Sequence, residues 1–370
     1  MSAILRWLYE VLARLLRTLD WPLSVALLAL MGIGLAVLYS AGNESPHLVM
    51  AQGSRFVLGL GAMWALSRVP PTQLRHWTPL VYGASLLPLL AVLAIGQGKH
   101  GNLWINLGVF YFQPAEVLKL SLPMMAAWYL NREILPPRFR VVLIAASIIG
   151  IPTGLILLQP DFGTAMLVGI SGAFVLFLAG LSWWWFVAAF GGVAAAAPVA
   201  WFWMLRPYQK DRILTFLNPE SDPLGSGWNI IQSKIAIGSG GWTGMGWGHG
   251  SQSHLDYLPE HTTDFIFAVL SEDFGWVGVA TVLALYLFIV GRCLWIASEA
   301  RDGYSRLLAG SLGLSLFVYV IVNGGMISGL LPVVGVPMPL LSYGGTSAVS
   351  LLAGLGVVMA VRAHKPMHGH

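Results

Sequence analysis

The chain is short of charge. Of its 370 residues 10% are Asp, Glu, Lys or Arg and 56% are hydrophobic, whereas a soluble domain carries about 25% charged residues. That balance excludes an ordinary soluble fold and indicates a polytopic membrane protein. Cysteine is almost absent: a single Cys293 excludes an intramolecular disulfide and any cysteine-based metal cluster. The sequence shows no low-complexity tract, no internal repeat and no second soluble domain, and its unlike halves argue against an inverted-repeat transporter. A formal charge of +4 would suggest a nucleic-acid partner in a soluble protein. In a membrane protein the position of the basic residues matters instead, and no nucleic acid is expected.

What is present is apolar sequence in lengths that fit a bilayer. A span needs roughly 20 mostly apolar residues, and ten segments meet that rule: approximately 21–41, 48–67, 75–95, 113–131, 140–158, 162–180, 183–204, 264–291, 306–328 and 344–362. The first run is long enough to stay in the membrane and many follow, so a cleavable signal is not expected. Ahead of them, Arg6, Glu10, Arg14 and Arg17 recur at helical spacing opposite Ile4, Leu5, Trp7, Leu8, Leu12, Leu15 and Leu16. Residues 1–20 thus read as a basic amphipathic helix on an anionic inner leaflet, with a frayed tail as the alternative.

With the N-terminus inside, the inner segments hold Arg6, Arg14, Arg17, Arg68, Arg75, Arg132, Arg138, Arg140, Arg292, Arg301, Arg306, Arg362 and Lys365, 13 of the 20 basic residues. The outer short loops hold little beyond Arg55 and Lys99. The positive-inside rule then puts both termini in the cytoplasm. Three outer stretches are too polar or too broken to be simple connections. Gly96 to Pro114 carries Lys99, His100, Asn102, Trp104 and Asn106. Trp203 to Asp264 carries Arg206, Lys210, Asp211, Arg212, Glu220, Asp222, Lys234, His249, His254, Asp256, Glu260 and His261. Gly329 to Gly345 has three prolines in apolar company, which deny a regular helix. Irregular backbone at membrane depth survives only when buried in protein or lining a wet cavity, so the three stretches are expected to build one outward cleft.

Several residues there could carry chemistry. Glu116 and Lys119, after Gln113-Pro114, share one helix face and read either as a neutralised pair pinning two helices or as a cation and acid placed in a polar cavity. Asp161 reads as a helix N-cap or a cleft residue. Gly238 to Gly250, GSGGWTGMGWGHG, lacks the strand and helix of a phosphate loop and reads as a tight loop approaching membrane or substrate. His249, His254 and His261 lack metal-ligand spacing. Asp264 reads equally as an N-cap or a catalytic acid, with Glu272 and Asp273 roughly 12 Å deeper on the same helix as further members of an acidic site.

The motifs FQPAEVLKL at 112–120, QPDFGT at 159–164, NPESDPLGSGWNIIQSKIAIGSGG at 218–241, LPEHTTDFIFAVLSEDFG at 258–275 and LPVVGVPMPLLSYGGTS at 331–347 resemble the SEDS family (shape, elongation, division and sporulation), its elongation members more closely than its division members. The resemblance runs from about residue 20 to residue 362. It implies an all-α integral membrane protein, a bundle of ten transmembrane helices with a large periplasmic loop between spans 7 and 8. Its parts would be a cytoplasmic amphipathic segment at 1–20, a transmembrane domain at 21–363 with its large loop at 205–263, and a cytoplasmic tail at 364–370.

The resemblance further implies a peptidoglycan glycosyltransferase of the bacterial inner membrane. It would polymerise lipid II at the outer face beside a class B penicillin-binding protein, in contact with membrane lipids. The family's essential acid falls on Asp264, its intramembrane acid and lysine on Glu116 and Lys119, and its loop lysine on Lys234. Asp161, Glu260 and Ser342, inside the matching motifs, complete the candidate set as site support. Thr262 and Leu103 depart from the family pattern, which has His and Arg there. Asp264 is expected to act as base on the acceptor hydroxyl, or as ligand to a divalent cation, Mg²⁺ or Mn²⁺; no nucleotide or organic cofactor is expected. Lys119, Lys234, Arg206, Lys210 or Arg212 would neutralise the diphosphate leaving group. Two rival readings remain: a lipid II flippase or transporter, and a non-catalytic cell-wall scaffold.

Overall fold

The computed structural model describes residues 17–96, 103–106, 108, 111–159, 161–205, 207–221, 227–250 and 262–364. Residues 1–16 of the amphipathic helix expected at 1–20, together with Lys99, His100, Asn102, Arg206, Asp222, His254, Asp256, Glu260, His261 and Lys365, lie outside them, and residues 17–20 form a turn rather than helix. In chain order come α1 (Trp21–Ala41), α2 (Pro46–Ser67) and α3 (Pro71–Ile95), then a two-stranded antiparallel pair, β1 (Ile105–Asn106) and β2 (Tyr111–Phe112). They are followed by α4 (Pro114–Leu130), α5 (Phe139–Leu158), α6 (Phe162–Leu178) and α7 (Trp183–Val199), the last running into a π-helical turn at Ala200–Met204. The large loop holds α8 (Pro207–Leu217) and α9 (Trp228–Ser239). The chain ends with α10 (Ile266–Ser298), α11 (Gly303–Ile327) and α12 (Thr346–Ala363).

Ten of these helices, all but α8 and α9, coincide with the ten apolar segments, within a few residues except that α10 runs on to Ser298, past the expected end at 291. Among the described residues seven are long and apolar enough to cross a membrane. The other three differ for plain reasons: α4 and α6 have 17 residues each, and α2 carries His47, Gln52 and Arg55. Helix starts follow local chemistry. Asp20 accepts from Leu23 N at 2.9 Å and Asp302 from Ser305 N at 2.9 Å, while Pro46, Pro71 and Pro114 take first-turn positions where the missing N–H costs nothing.

The buried apolar side chains form two main clusters. One gathers residues of α1, α10, α11 and α12 with Met338, Leu340 and Leu341; the other gathers α3, α4, α5 and α6 with Tyr304, Leu307 and Leu308 of α11. Helix α2 packs along α12, and the two backbones meet closely because Gly356 faces Met63, where a Cβ would lie 2.8 Å from its Cα. Small residues permit such approach where lipid supplies no hydrophobic drive between helices.

Helix α10 is broken at Gly275, which has φ +60°. The glycine-rich loop docks on this break. Met245 N donates to Glu272 O at 2.9 Å and Gly246 N to Asp273 O at 3.1 Å, while Trp276 N and Val277 N donate to Gly241 O and Trp242 O at 2.9 and 3.1 Å. Donors and acceptors released by the break are thereby paired again, as an apolar surrounding requires. A Cβ on Gly240 or Gly244 would overlap the carbonyl oxygen of Ser271 or Asp273. The loop's close approach is therefore to a helix break.

Candidate functional site

Four helices, α4, α6, α10 and α12, begin around one cavity of about 570 Å³, within the range of about 300–1,000 Å³ typical of ligand pockets. All three irregular stretches contribute walls: Leu103 and Trp104 from the first, Gln209, Arg212, Thr263 and Asp264 from the second, and residues 332–337 and 343–345 from the third. Four helix N-termini, the positive ends of their helix dipoles, favour anions.

On the α4 wall, Lys119 Nζ donates to Glu116 Oε1 at 2.6 Å, and Glu116 Oε2 accepts from Ser350 Oγ of α12 at 2.6 Å. Helical spacing makes the pair; α12 holds it from across the bundle. Glu116 is buried, and Lys119 lines the cavity with its ammonium 5.2 Å from the centre of the Tyr319 ring. Both readings of this pair therefore hold: it joins two helices and it lines the cavity. Asp161 likewise does both. Its Oδ1 caps α6 by accepting from Thr164 N at 3.0 Å, and its Oδ2 accepts from Gln113 Nε2 at 3.2 Å at the cavity wall.

Asp264 is half-buried at the cavity edge. It does not cap α10, whose N-cap is Phe265 without a side-chain bond, so its carboxylate is not committed to the helix start. A Cβ on Gly335 would lie 3.6 Å from its Oδ2, which leaves the third stretch close against it. The rim beyond is held by α2. Arg55 lies over the Tyr343 ring at 4.2 Å and donates to its hydroxyl at 3.0 Å. Gln52 donates to Ser342 O and accepts from Gly344 N, both at 3.3 Å. Tyr343 N donates to Thr262 O at 2.9 Å, joining the third stretch to the second.

The match to known sequences follows this geometry. Residues 17–367 fit the FtsW/RodA/SpoVE family of cell cycle proteins. The chain belongs to that family. Over 350 residues it is 47% identical to peptidoglycan glycosyltransferase MrdB of Escherichia coli K12, covering 94% of this chain and 95% of that one. It is 32% identical to peptidoglycan glycosyltransferase RodA of Treponema pallidum over 424 residues, covering 94% and 98%. Its structure resembles a chain from a peptidoglycan synthase complex that coordinates polymerization and crosslinking, with a TM-score of 0.83, 32% identity and coverage of 94% and 98%. It also resembles the crystal structure of the Thermus thermophilus rod shape determining protein RodA, with a TM-score of 0.71, 30% identity and coverage of 93% and 96%.

Within this FtsW/RodA/SpoVE chain, the cavity unites Asp264, Glu116, Lys119 and Asp161 and adds Arg212. It does not gather the rest. Lys234 is exposed on α9 with its stem against Gly329, outside the lining. Glu272 and Asp273 are fully buried on the far side of α10's first segment, where Ser40 donates to Asp273 at 2.5 Å; they belong to the docked break rather than to an acidic site with Asp264. Ser342 is buried in the third stretch, its hydroxyl accepting from Met338 N at 2.7 Å. Lys210 lies near the Trp201 ring at 5.9 Å, away from the lining. Among the described residues no three His, Cys, Asp or Glu side chains gather to hold a metal. A magnesium-type ion needs only one or two carboxylates when substrate phosphates complete its shell, and Asp264 meets that need.

Sequence reasoning missed Gln52, Arg55, Ser350 and Tyr319. The signal was present for the first two: a Gln and an Arg three residues apart in an otherwise apolar helix share one face, and such residues usually face protein or a cavity.

Proposed function

We propose that the chain is a peptidoglycan glycosyltransferase that polymerises lipid II into β-1,4 glycan strands during cell elongation, releasing undecaprenyl diphosphate. The observation that supports this reading is the meeting of a carboxylate, Asp264, with two cations, Lys119 and Arg212, in one cavity ringed by helix starts. The Asp264 carboxylate accepts the proton of the acceptor GlcNAc 4-hydroxyl as that oxygen attacks the donor MurNAc anomeric carbon. The bond to the diphosphate breaks and its electron pair leaves with the lipid, so one displacement turns an α-linked donor into a β-linked product. Lys119, Arg212 and the helix starts stabilise the departing diphosphate. In the alternative role Asp264 would hold a divalent cation instead of taking the proton, and the cation would then supply charge neutralisation at the leaving group. Glu260 and Arg206 complete the large loop's contribution, and Lys234 and Ser342 act at a distance from the reacting atoms, by holding loop structure.

In this reading all ten long helices span the inner membrane. Both termini are cytoplasmic, and the large loop between spans 7 and 8 is periplasmic, with the cavity opening toward it. Residues 1–20 rest on the inner leaflet. Both substrates carry lipid tails, so a cavity between helices takes them directly from the outer leaflet. The crosslinking partner is a class B penicillin-binding protein, in keeping with the synthase complex the chain resembles.

Purified protein, in complex with such a partner whose own catalysis is disabled, is supplied with labelled lipid II and Mg²⁺ or Mn²⁺. Wild type yields polymer and folded, partner-bound Asp264→Ala yields none. Polymer from Asp264→Ala would remove Asp264 from the site, and lipid II transfer between liposome leaflets without polymer would replace the reading with a transporter.

A further inference from the structure

Resting on the glycosyltransferase reading, we infer that Asn323 of α11 is the positioning residue for Asp264. Asn323 is fully buried, and its single amide nitrogen donates to two carbonyls of different chain segments: Asp264 O at 2.9 Å and Val336 O at 2.7 Å. These two acceptors belong to two separate walls of the cavity. Thr263 and Asp264 end the second irregular stretch, and residues 332–337 form the core of the third. One side chain, anchored on a regular helix, therefore sets the spacing of both walls.

The orientation of the amide is fixed by chemistry. Both acceptors are carbonyl oxygens, so the flipped amide would set oxygen against oxygen. The tie matters because the Asp264 backbone lies outside regular structure: it precedes the N-cap of α10, and Gly335, in left-handed conformation at φ +72°, faces its carboxylate. Both segments are irregular backbone, whose carbonyls must find donors when buried. Asn323 supplies both from the next helix. Its role differs from the bonds at the rim, where Gln52 and Arg55 hold residues 342–344 rather than the backbone of the acid itself.

A group that only positions a base changes turnover more than substrate binding, and a displacement of about 1 Å costs on the order of 10²-fold in rate. Asn323→Ala, in complex with the catalytically disabled partner and supplied with labelled lipid II, is expected to lower kcat roughly 100-fold while KM changes less than about three-fold. Asn323→Gln keeps the donors one methylene further out and is expected to recover part of kcat. The control is Ser233→Ala, which removes a buried bond from α9 to Ile327 O at 2.9 Å on the same helix α11 without touching the cavity. It is expected to lower the melting midpoint and leave kcat per folded molecule unchanged. Asn323→Ala with unchanged kcat overturns the inference, as does a kcat loss that only tracks the folded fraction, or failure of both Asn323 variants to fold. Each of these outcomes leaves Asp264→Ala inactive; activity in Asp264→Ala instead sinks the parent reading.

Discussion

Helix α12 joins two clusters of opposite character, roughly 18 Å apart along its axis at 1.5 Å per residue. At its far end Arg362 meets Asp20, which is fully buried, and Arg292 Nε and Nη2 donate to the same carboxylate at 3.1 and 2.9 Å. Leu23 N takes a further place on Oδ1 at 2.9 Å. Every acceptor position of that acid faces a donor from α1, α10 or α12, and no cavity adjoins it among those described. At the near end Ser350, Glu116 and Lys119 also form a chain of short bonds, but Lys119 borders the 570 Å³ cavity that Asp264 shares. Both clusters bury charge. The first spends all of its hydrogen-bonding capacity inside the protein and acts as a clasp, whereas the second places a cation at the wall of a cavity that an acid also lines.

Substitutions separate the two ends. Asp264→Ala should lower polymerisation by about 10²–10⁴-fold with little change in melting midpoint, since its carboxylate caps no helix; a glycan-length gel and a thermal melt on one sample check both. Lys119→Met should lower kcat by about 10²-fold and also destabilise, because Glu116 keeps its burial and loses its cation. A stability loss without a kcat loss would make this pair a second clasp and abolish the contrast. At the other end, Asp20→Asn should lower stability by about 3–5 kcal/mol, because Arg292 and Arg362 lose their shared anion, yet leave turnover per folded molecule unchanged. Single-turnover rates normalised to partner-bound protein test this. The smallest effect is expected for Ser350→Ala, which leaves Glu116 its lysine but removes a hydroxyl donor at 2.6 Å: about 1.5–3 kcal/mol in stability and roughly a ten-fold lower kcat, with KM for lipid II nearly constant.

Much of the architecture was legible because it is local. Apolar run length marked the ten long helices, all but the end of α10 within a few residues, prolines at 332, 337 and 339 marked the stretch that forms no helix, and three-residue spacing paired Glu116 with Lys119. Asp161 met both of its readings, cap and cleft, because a capping carboxylate has a second oxygen left to bond. Other residues misled for an equally physical reason. Glu272 and Asp273 follow Asp264 by two turns, which suggested one acidic site; their burial on the Ser40 side, beside the break at Gly275, separates them from it. The glycine-rich loop's partner, the same break, was not legible because it lies about 30 residues further along the chain.

Length, periodicity and capping chemistry are short-range properties, so the sequence by itself determined where helices start and stop, which segments cannot be helical, and that polar residues collect in three stretches. Only the tertiary structure decided which charges meet. Asn323 reaches Asp264 across 59 residues, Ser350 reaches Glu116 across 234, and Arg362 reaches Asp20 across 342. At such separations no spacing rule applies, because the contact is set by how whole helices pack, and in an apolar chain each buried polar group must find its partner wherever that packing places one.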